Sequence, residues 1–497
     1  MAVSMWGTTF SARWQARLGA LAVTAVVASG GSLPAAAAEL TIQEEVRIGA
    51  REHALVLPRF GGEYADAKVR LYVKEVGERL VATLPNRPYD FRFTVLDSGD
   101  TYAFALPGGY VYITRQMLAL ANSEAELAAV LAHEIAHLAE RHANQRSLLQ
   151  DQLQGVPAAA NTEAWHAFTR EQEIAADAVS IRMLAAAGYD PLAQARFLAA
   201  VGEQVDLAQR DGDPRPRNPG THPSISERVR RAAVVGRAVE REHFALREAA
   251  NAQVIAGYVP MGEPERMTWD VRRDAFLGVI DGLVYGRRPS EGMILGNTYI
   301  DTFNRYSFTL PPGFRFGRTG RTISAGGPNG ASMRFDMQQV RSQPTESMTA
   351  YLRRSVATNF ELEQVQEATV GGMAAALGRA KVTGVGGEVA HVVFASVRVT
   401  STVIFRFQFF VPGPLAPEMV ERVLETPLSL RRITEAEGRD IAPMRVRVVT
   451  AGPETRIEAL AAQMRMLDHP LDWLLTINQL ELGAELAPGD KLKVIAQ

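Results

Sequence analysis

The sequence predicts an α+β protein of several domains: a mainly helical first domain with a small antiparallel sheet, then an α+β sheet domain, then a small βααβ unit. Three observations carry this. At 497 residues the chain is too long for one core. Helical periodicity dominates residues 41–250, interrupted by one cluster of strand-like runs. From about residue 292 the pattern changes to aromatic and β-branched runs around two short helical stretches.

The elements follow in order. Residues 1–38 read as a signal peptide: Arg13 and Arg17 flank the apolar stretch LGALAVTAVVAS, and a small-residue cleavage site ends at Ala38. Helices are expected over 41–57 and 66–84, a strand in DFRFTVLD (90–97), and a hairpin in TYAFALPGGYVYIT (101–114) turning at Pro107-Gly108-Gly109. Ser123 with Glu126 opens a strong helix whose buried stripe is Leu127, Val130, Leu131, Ile135 and Leu138. A second helix covers about 163–187 and stops at Gly188; a third opens at Ser224 with Glu227. Residues 39–252 form the first domain and 253–291 a linking segment. Residues 292–437 form an α+β domain of unknown role, with both helices expected on one side of an antiparallel sheet, and 444–497 a separate small unit.

Composition removes several function classes. The net charge is -2, and removing residues 1–38, with two arginines and no acid, takes it to -4. No basic excess exists to hold a nucleic-acid backbone. With no cysteine there is no disulfide, thiol nucleophile or cysteine-based metal site. No segment after the leader is long and apolar enough to span a membrane, so the expected location is periplasmic or secreted.

The chemistry lies in LAHEIAHLAERH (131–142). Residues four apart share a helix face, so His133 and His137 can reach one metal ion, with Glu134 beside it where a general base belongs. The alternative is a helix whose histidines are merely solvated. A third ligand decides between them, and TREQEIAADAV (169–179) offers Glu173. Asp177, one turn on, shares that face and can hold a ligand histidine's free N–H. His142 lies about 180° from His133 on an ideal helix, so it cannot join the same metal and is read as a structural or capping residue.

These motifs, with DTYAFALPGGYVYITRQ, GYDP and THPSISERV, resemble the HtpX/CAAX-prenyl-protease family of gluzincin zinc metallopeptidases, above all its soluble periplasmic branch. The resemblance covers roughly residues 40–245. It implies a zincin-type fold, one Zn2+ per chain held by His133, His137 and Glu173, Glu134 as catalytic base, and envelope-protein quality control. The chain departs from the family at Tyr102, where asparagine is usual, and lacks the tetratricopeptide repeats of some periplasmic members. The family pattern also carries a histidine at His222. His222 is read as an oxyanion donor, as a group closing the metal's open position, or as a plain loop histidine. Ala103, Phe104, Ala105 and Leu106 form the expected edge for an extended substrate, or else an ordinary core strand.

Residues 444–497 resemble a LysM module, which implies peptidoglycan as a candidate ligand, although Gly452-Pro453-Glu454-Thr455 replaces the usual Gly-Asp-Thr. Residues 292–437 bear only a faint likeness to PsbP-like α+β domains. The favoured reading is an exported zinc endopeptidase. The alternative is a periplasmic chaperone or peptidoglycan-tethered scaffold with a silenced or structural zinc site.

Overall fold

A computed structural model describes residues 3–4, 39–152, 158–210, 223–255, 269–317, 323–341, 346–383, 388–413, 418–464 and 469–497. The signal-peptide expectation therefore lies almost wholly outside the described residues, and His222 lies outside them entirely.

The first domain is built around one buried helix. Its elements are α1 (Ile42–Arg59), α2 (Ala67–Val81), β2 (Arg92–Leu96), β3 (Ala103–Leu106), β4 (Tyr110–Thr114), α3 (Arg115–Leu120), α4 (Glu124–Ala139), α5 (His142–Gln152), α6 (Ala158–Ala186), α7 (Ala193–Arg210) and α8 (Ile225–Ile255); β1 is the short strand Val3–Ser4. Ser123 caps α4 by accepting from the Glu126 backbone N–H at 3.2 Å. Every residue of α4 from Glu124 to Leu138 is buried, so packing on all sides, rather than propensity, holds it. Its Leu127, Val130, Leu131, Ile135 and Leu138 each bring roughly 1.5–3 kcal/mol of apolar burial.

The small sheet runs in the order β1-β3-β4-β2. β3 and β4 form the expected hairpin, with Gly108 and Gly109 at φ +86° and +94° supplying the turn. β2, however, lies parallel to β4, so the sheet is mixed and not antiparallel. The reason is connectivity: the chain leaves β2, crosses by residues 97–102 into β3, and the hairpin brings β4 back in β2's direction. Alternate residues face opposite layers. Ala103, Ala105, Val111 and Ile113 belong to the α4-side core, whereas Phe104, Leu106, Tyr110 and Tyr112 pack with Val56 and Phe60 of α1. The outer edge of β3 pairs antiparallel with β1, Val3 opposite Ala105 and Ser4 opposite Phe104.

A short helix, α9 (Arg273–Ile280), follows and buries Phe276, Leu277 and Ile280 in the first core. Then come β5 (Met293–Leu295), β6 (Thr298–Asp301), β7 (Tyr306–Thr309), β8 (Arg315–Gly317), β9 (Ile323–Gly326), β10 (Ser332–Gln339), α10 (Met348–Ser355), β11 (Leu362–Val370), β12 (Met373–Thr383), β13 (Val389–Arg398), β14 (Val403–Pro412), α11 (Glu418–Leu428), β15 (Arg431–Arg432) and α12 (Glu435–Asp440). A seven-stranded sheet, order β11-β12-β13-β14-β10-β9-β8, is antiparallel throughout; β15-β7-β6-β5 forms a second sheet. The two helices do not share a side. α10 packs with Ala376, Ala380, Val392, Phe394 and Ile404, and α11 with Val393, Ala395, Val397, Phe405 and Phe407. Because strand side chains alternate, these two sets are opposite faces of the sheet.

At the C-terminus, β16 (Arg445–Thr450), α13 (Ile457–Ala461), α14 (Pro470–Asn478) and β17 (Lys491–Ala496) appear in the expected βααβ order. The unit is not set apart, because Val446, Leu460, Trp473, Leu474, Val494 and Ile495 join the same apolar core as α4. The buried Lys493 ammonium seals the joint, donating to the carbonyls of Ala119, Leu120 and Ala121 at 2.9, 3.1 and 2.8 Å. Those carbonyls end α3, where a helix has acceptors to spare.

Candidate metal centre

His133 and His137 project from one face of α4, their Nε2 atoms 2.9 Å apart. α6 crosses α4 and brings Glu173 to them: Oε2 is 3.5 Å from His133 Nε2 and Oε1 3.4 Å from His137 Nε2. The donor atoms of the three residues lie within 4.8 Å of one another, and all three side chains are buried. Ala176 is fully buried beside them, and a small residue there suits the close approach of the two helices.

Two nitrogens and a carboxylate on a common centre form a donor set suited to zinc. Glu134, also fully buried, has both carboxylate oxygens without a hydrogen-bond partner among the described residues. Such a group is costly unless something polar completes it. Burial pushes its pKa up to about 8.

Around this set lies a second layer. Asp177 Oδ1 is 2.9 Å from His133 Nδ1. Asp177 is itself gripped by Arg228, whose Nε and Nη2 donate to its two oxygens at 2.8 and 2.7 Å, and by Gln194 at 3.0 Å. Arg228 Nη1 also lies 3.5 Å from Glu173, and Arg146 lies 3.9 Å from it. Burial alone would raise Asp177, but the Arg228 guanidinium and His133 outweigh it and hold the carboxyl at about 2. Burial would likewise lower His133, yet the Asp177 and Glu173 carboxylates raise it to about 9. His137 goes the other way, to about 3, because burial outweighs the nearby Glu173.

His142 corrects the helical-wheel reading. The helix does not continue to it: α4 ends at Ala139, Arg141 takes φ +52°, and a new helix starts at His142. That left-handed residue turns the chain back, and the Nδ1 atoms of His142 and His137 meet at 2.8 Å, one donating to the other. His142 is thus the orienting partner of His137, as Asp177 is of His133. Arg146, Arg228 and Gln194 also escaped the sequence reading. A buried arginine has no periodic signature, and Arg228 was legible only as part of THPSISERV.

The comparisons with known proteins agree with this geometry. The pattern of peptidase family M48 matches residues 67–159 and 150–234. The putative beta-barrel assembly-enhancing protease of Vibrio cholerae is 27% identical over 243 residues, 42% of this chain and 48% of that one. The beta-barrel assembly-enhancing protease of Escherichia coli K12 is 27% identical over 172 residues, 29% and 35% of the two chains. The mitochondrial metalloendopeptidase OMA1 of Schizosaccharomyces pombe is 25% identical over 210 residues, 39% and 61%. The match thus spans about half or less of the first two relatives' lengths. A solution structure of cyanobacterial PsbP from Synechocystis sp. PCC 6803 covers 28% of this chain and 94% of its own, at 14% identity and a TM-score of 0.23. No helix among the described residues is long and apolar enough to cross a membrane.

Proposed function

We infer the function from one premise: residues 67–234 of this chain belong to peptidase family M48. We propose that the protein is an exported zinc-dependent endopeptidase that hydrolyses misfolded or stalled cell-envelope proteins. The observation that carries the reading is the buried convergence of His133, His137 and Glu173 beside the Glu134 carboxylate, which has no hydrogen-bond partner among the described residues. The names of the bacterial relatives support the envelope as the place of action.

In this reading His133, His137 and Glu173 hold one zinc ion, which when bound polarises the scissile carbonyl and acidifies water. Asp177 and His142 fix the rings of His133 and His137, so the Nε2 lone pairs stay aimed at the common centre. Glu134 takes a proton from the attacking water and returns it to the leaving amine. The β3 edge, Ala103 to Leu106, takes the substrate backbone as an added strand, and the pairing of Val3–Ser4 with it supports this use. His222 either donates to the oxyanion or closes the open ligand position.

The C-terminal unit is proposed as LysM-like and a peptidoglycan contact. A cleft of about 310 Å³ between Thr455–Glu458 and Leu482–Leu486 supports a ligand there. One observation favours a second reading, a chaperone or tethered scaffold with a silenced zinc: His133, Glu134, His137 and Glu173 are all buried.

The experiment compares wild type with Glu134→Gln for zinc content and casein cleavage. Zinc in both, with cleavage at least about a hundredfold lower in the variant, is expected. Zinc without cleavage in either supports the second reading, and no zinc in either refutes the ligand assignment.

A further inference from the structure

We propose that the sheet domain at residues 292–437 carries a binding site for a phosphate-bearing ligand, built on the α10 face of its large sheet. The site is a cavity of about 410 Å³, lined by Arg341, Arg354, Arg398, Arg406, Glu346 and Tyr351 among others. It is remote in sequence from the metal centre and plays no part in the peptidase reading.

The cavity is strongly cationic. Arg398 ends β13, and Arg406 stands on the neighbouring β14 with Asp336 opposite it on β10. Arg341 follows β10, and Arg354 lies in the last turn of α10. Two carboxylates answer these four guanidinium groups: Glu346, which receives Arg354 at 2.9 Å, and Asp336, which receives Arg406 at 2.6 and 2.8 Å. Four positive charges against two negative leave an excess of two. A phosphate monoester carries nearly that charge at neutral pH, whereas a lone carboxylate carries half of it.

The donors also suit an oxyanion. Arg406 grips Asp336 through Nε and Nη2, which turns its remaining nitrogen away from that pair. Arg398 Nη2 makes only a long contact, 3.4 Å, to the Glu346 carbonyl. Guanidinium forks match the geometry of phosphate oxygens and give up water more easily than ammonium groups do. Tyr351 is 2% exposed and lines the cavity, with its hydroxyl beside the Arg406 guanidinium, so a ligand oxygen held there meets both groups.

Two sources of phosphate fit this chemistry, a soluble phosphate compound and a lipid headgroup. The test uses the full chain at low salt, titrated calorimetrically with inorganic phosphate, and floated with phosphatidylcholine vesicles with and without phosphatidic acid. Saturable phosphate binding at about one site per chain is expected. Arg398→Gln should weaken it about tenfold or more, and Tyr351→Phe, which keeps the ring in the core, about threefold. Arg379→Gln, which breaks an arginine pair with Glu421 outside the cavity, should leave it unchanged. Flotation only with phosphatidic acid, reversed by phosphate, assigns the lipid source; phosphate binding without flotation assigns the soluble one. The proposal is overturned by the absence of saturation, by equal affinity in folded Arg398→Gln and Tyr351→Phe, or by binding of a glutamate-rich peptide that phosphate does not displace.

Discussion

Replacing Arg228 with methionine tests whether the layer behind the metal centre is held together electrostatically. Arg228 is 2% exposed and makes two charge-assisted hydrogen bonds to Asp177, with a third nitrogen 3.5 Å from Glu173. Methionine keeps most of the volume but leaves two buried carboxylates without that cation. Breaking a buried pair by removing one partner costs about 3–5 kcal/mol. The Asp177 carboxyl gives an independent figure. The difference between its ordinary 3.8 and about 2 in the fold, set by Arg228 and then His133 against the cost of burial, corresponds to roughly 2 kcal/mol. The sign is that of a depressed carboxyl: this stability is present above pH 3.8 and lost as pH falls through 2. At about 4 kcal/mol, the melting temperature of a domain of this size should fall by about 8–16 °C. The assay is calorimetry of chelator-treated wild type, Arg228→Met and Arg228→Lys at neutral pH. Lysine keeps the charge but not the fork, and should lie between the other two. A loss under about 1 kcal/mol in Arg228→Met would show that Asp177 and Glu173 tolerate burial without this arginine, and would refute the reasoning.

Three further outcomes follow from the same structure. His142→Ala removes the partner of His137 Nδ1 and should weaken zinc binding by about 10–100-fold in a chelator competition, with little change in the fold. Lys493→Met orphans the carbonyls of Ala119, Leu120 and Ala121; hydrogen exchange should show β16 and β17 opening more readily, by about 2–4 kcal/mol. His53, next to the Tyr112 hydroxyl, has its pKa lowered by burial and then by Arg92. The folded state therefore disfavours its proton, so stability should fall as pH drops from 6.5 toward the folded value, and His53→Gln should flatten that slope in thermal melts.

What is local and periodic is written in the residues themselves. Ser123 and the apolar stripe of α4 mark the helix, and its repeat alone puts His133 and His137 on one face. Glu173 and Asp177 were legible because the same four-residue repeat acts on α6. The Pro107-Gly108-Gly109 turn announces the hairpin because only glycine takes those backbone angles cheaply. Tertiary structure decided everything that depends on where a chain reverses or what it packs against. His142 joins His137 through one left-handed residue, Arg141, which no periodicity forecasts. β2 turned out parallel to β4 because strand order, not strand pattern, sets direction. α10 and α11 took opposite faces of one sheet, since a strand buried on both sides offers an apolar surface to each. The charged groups behind the centre, Arg228 and Arg146, have no periodic signature in the sequence at all. A buried ion pair is written in no local pattern; it exists only where two distant segments place opposite charges together out of water.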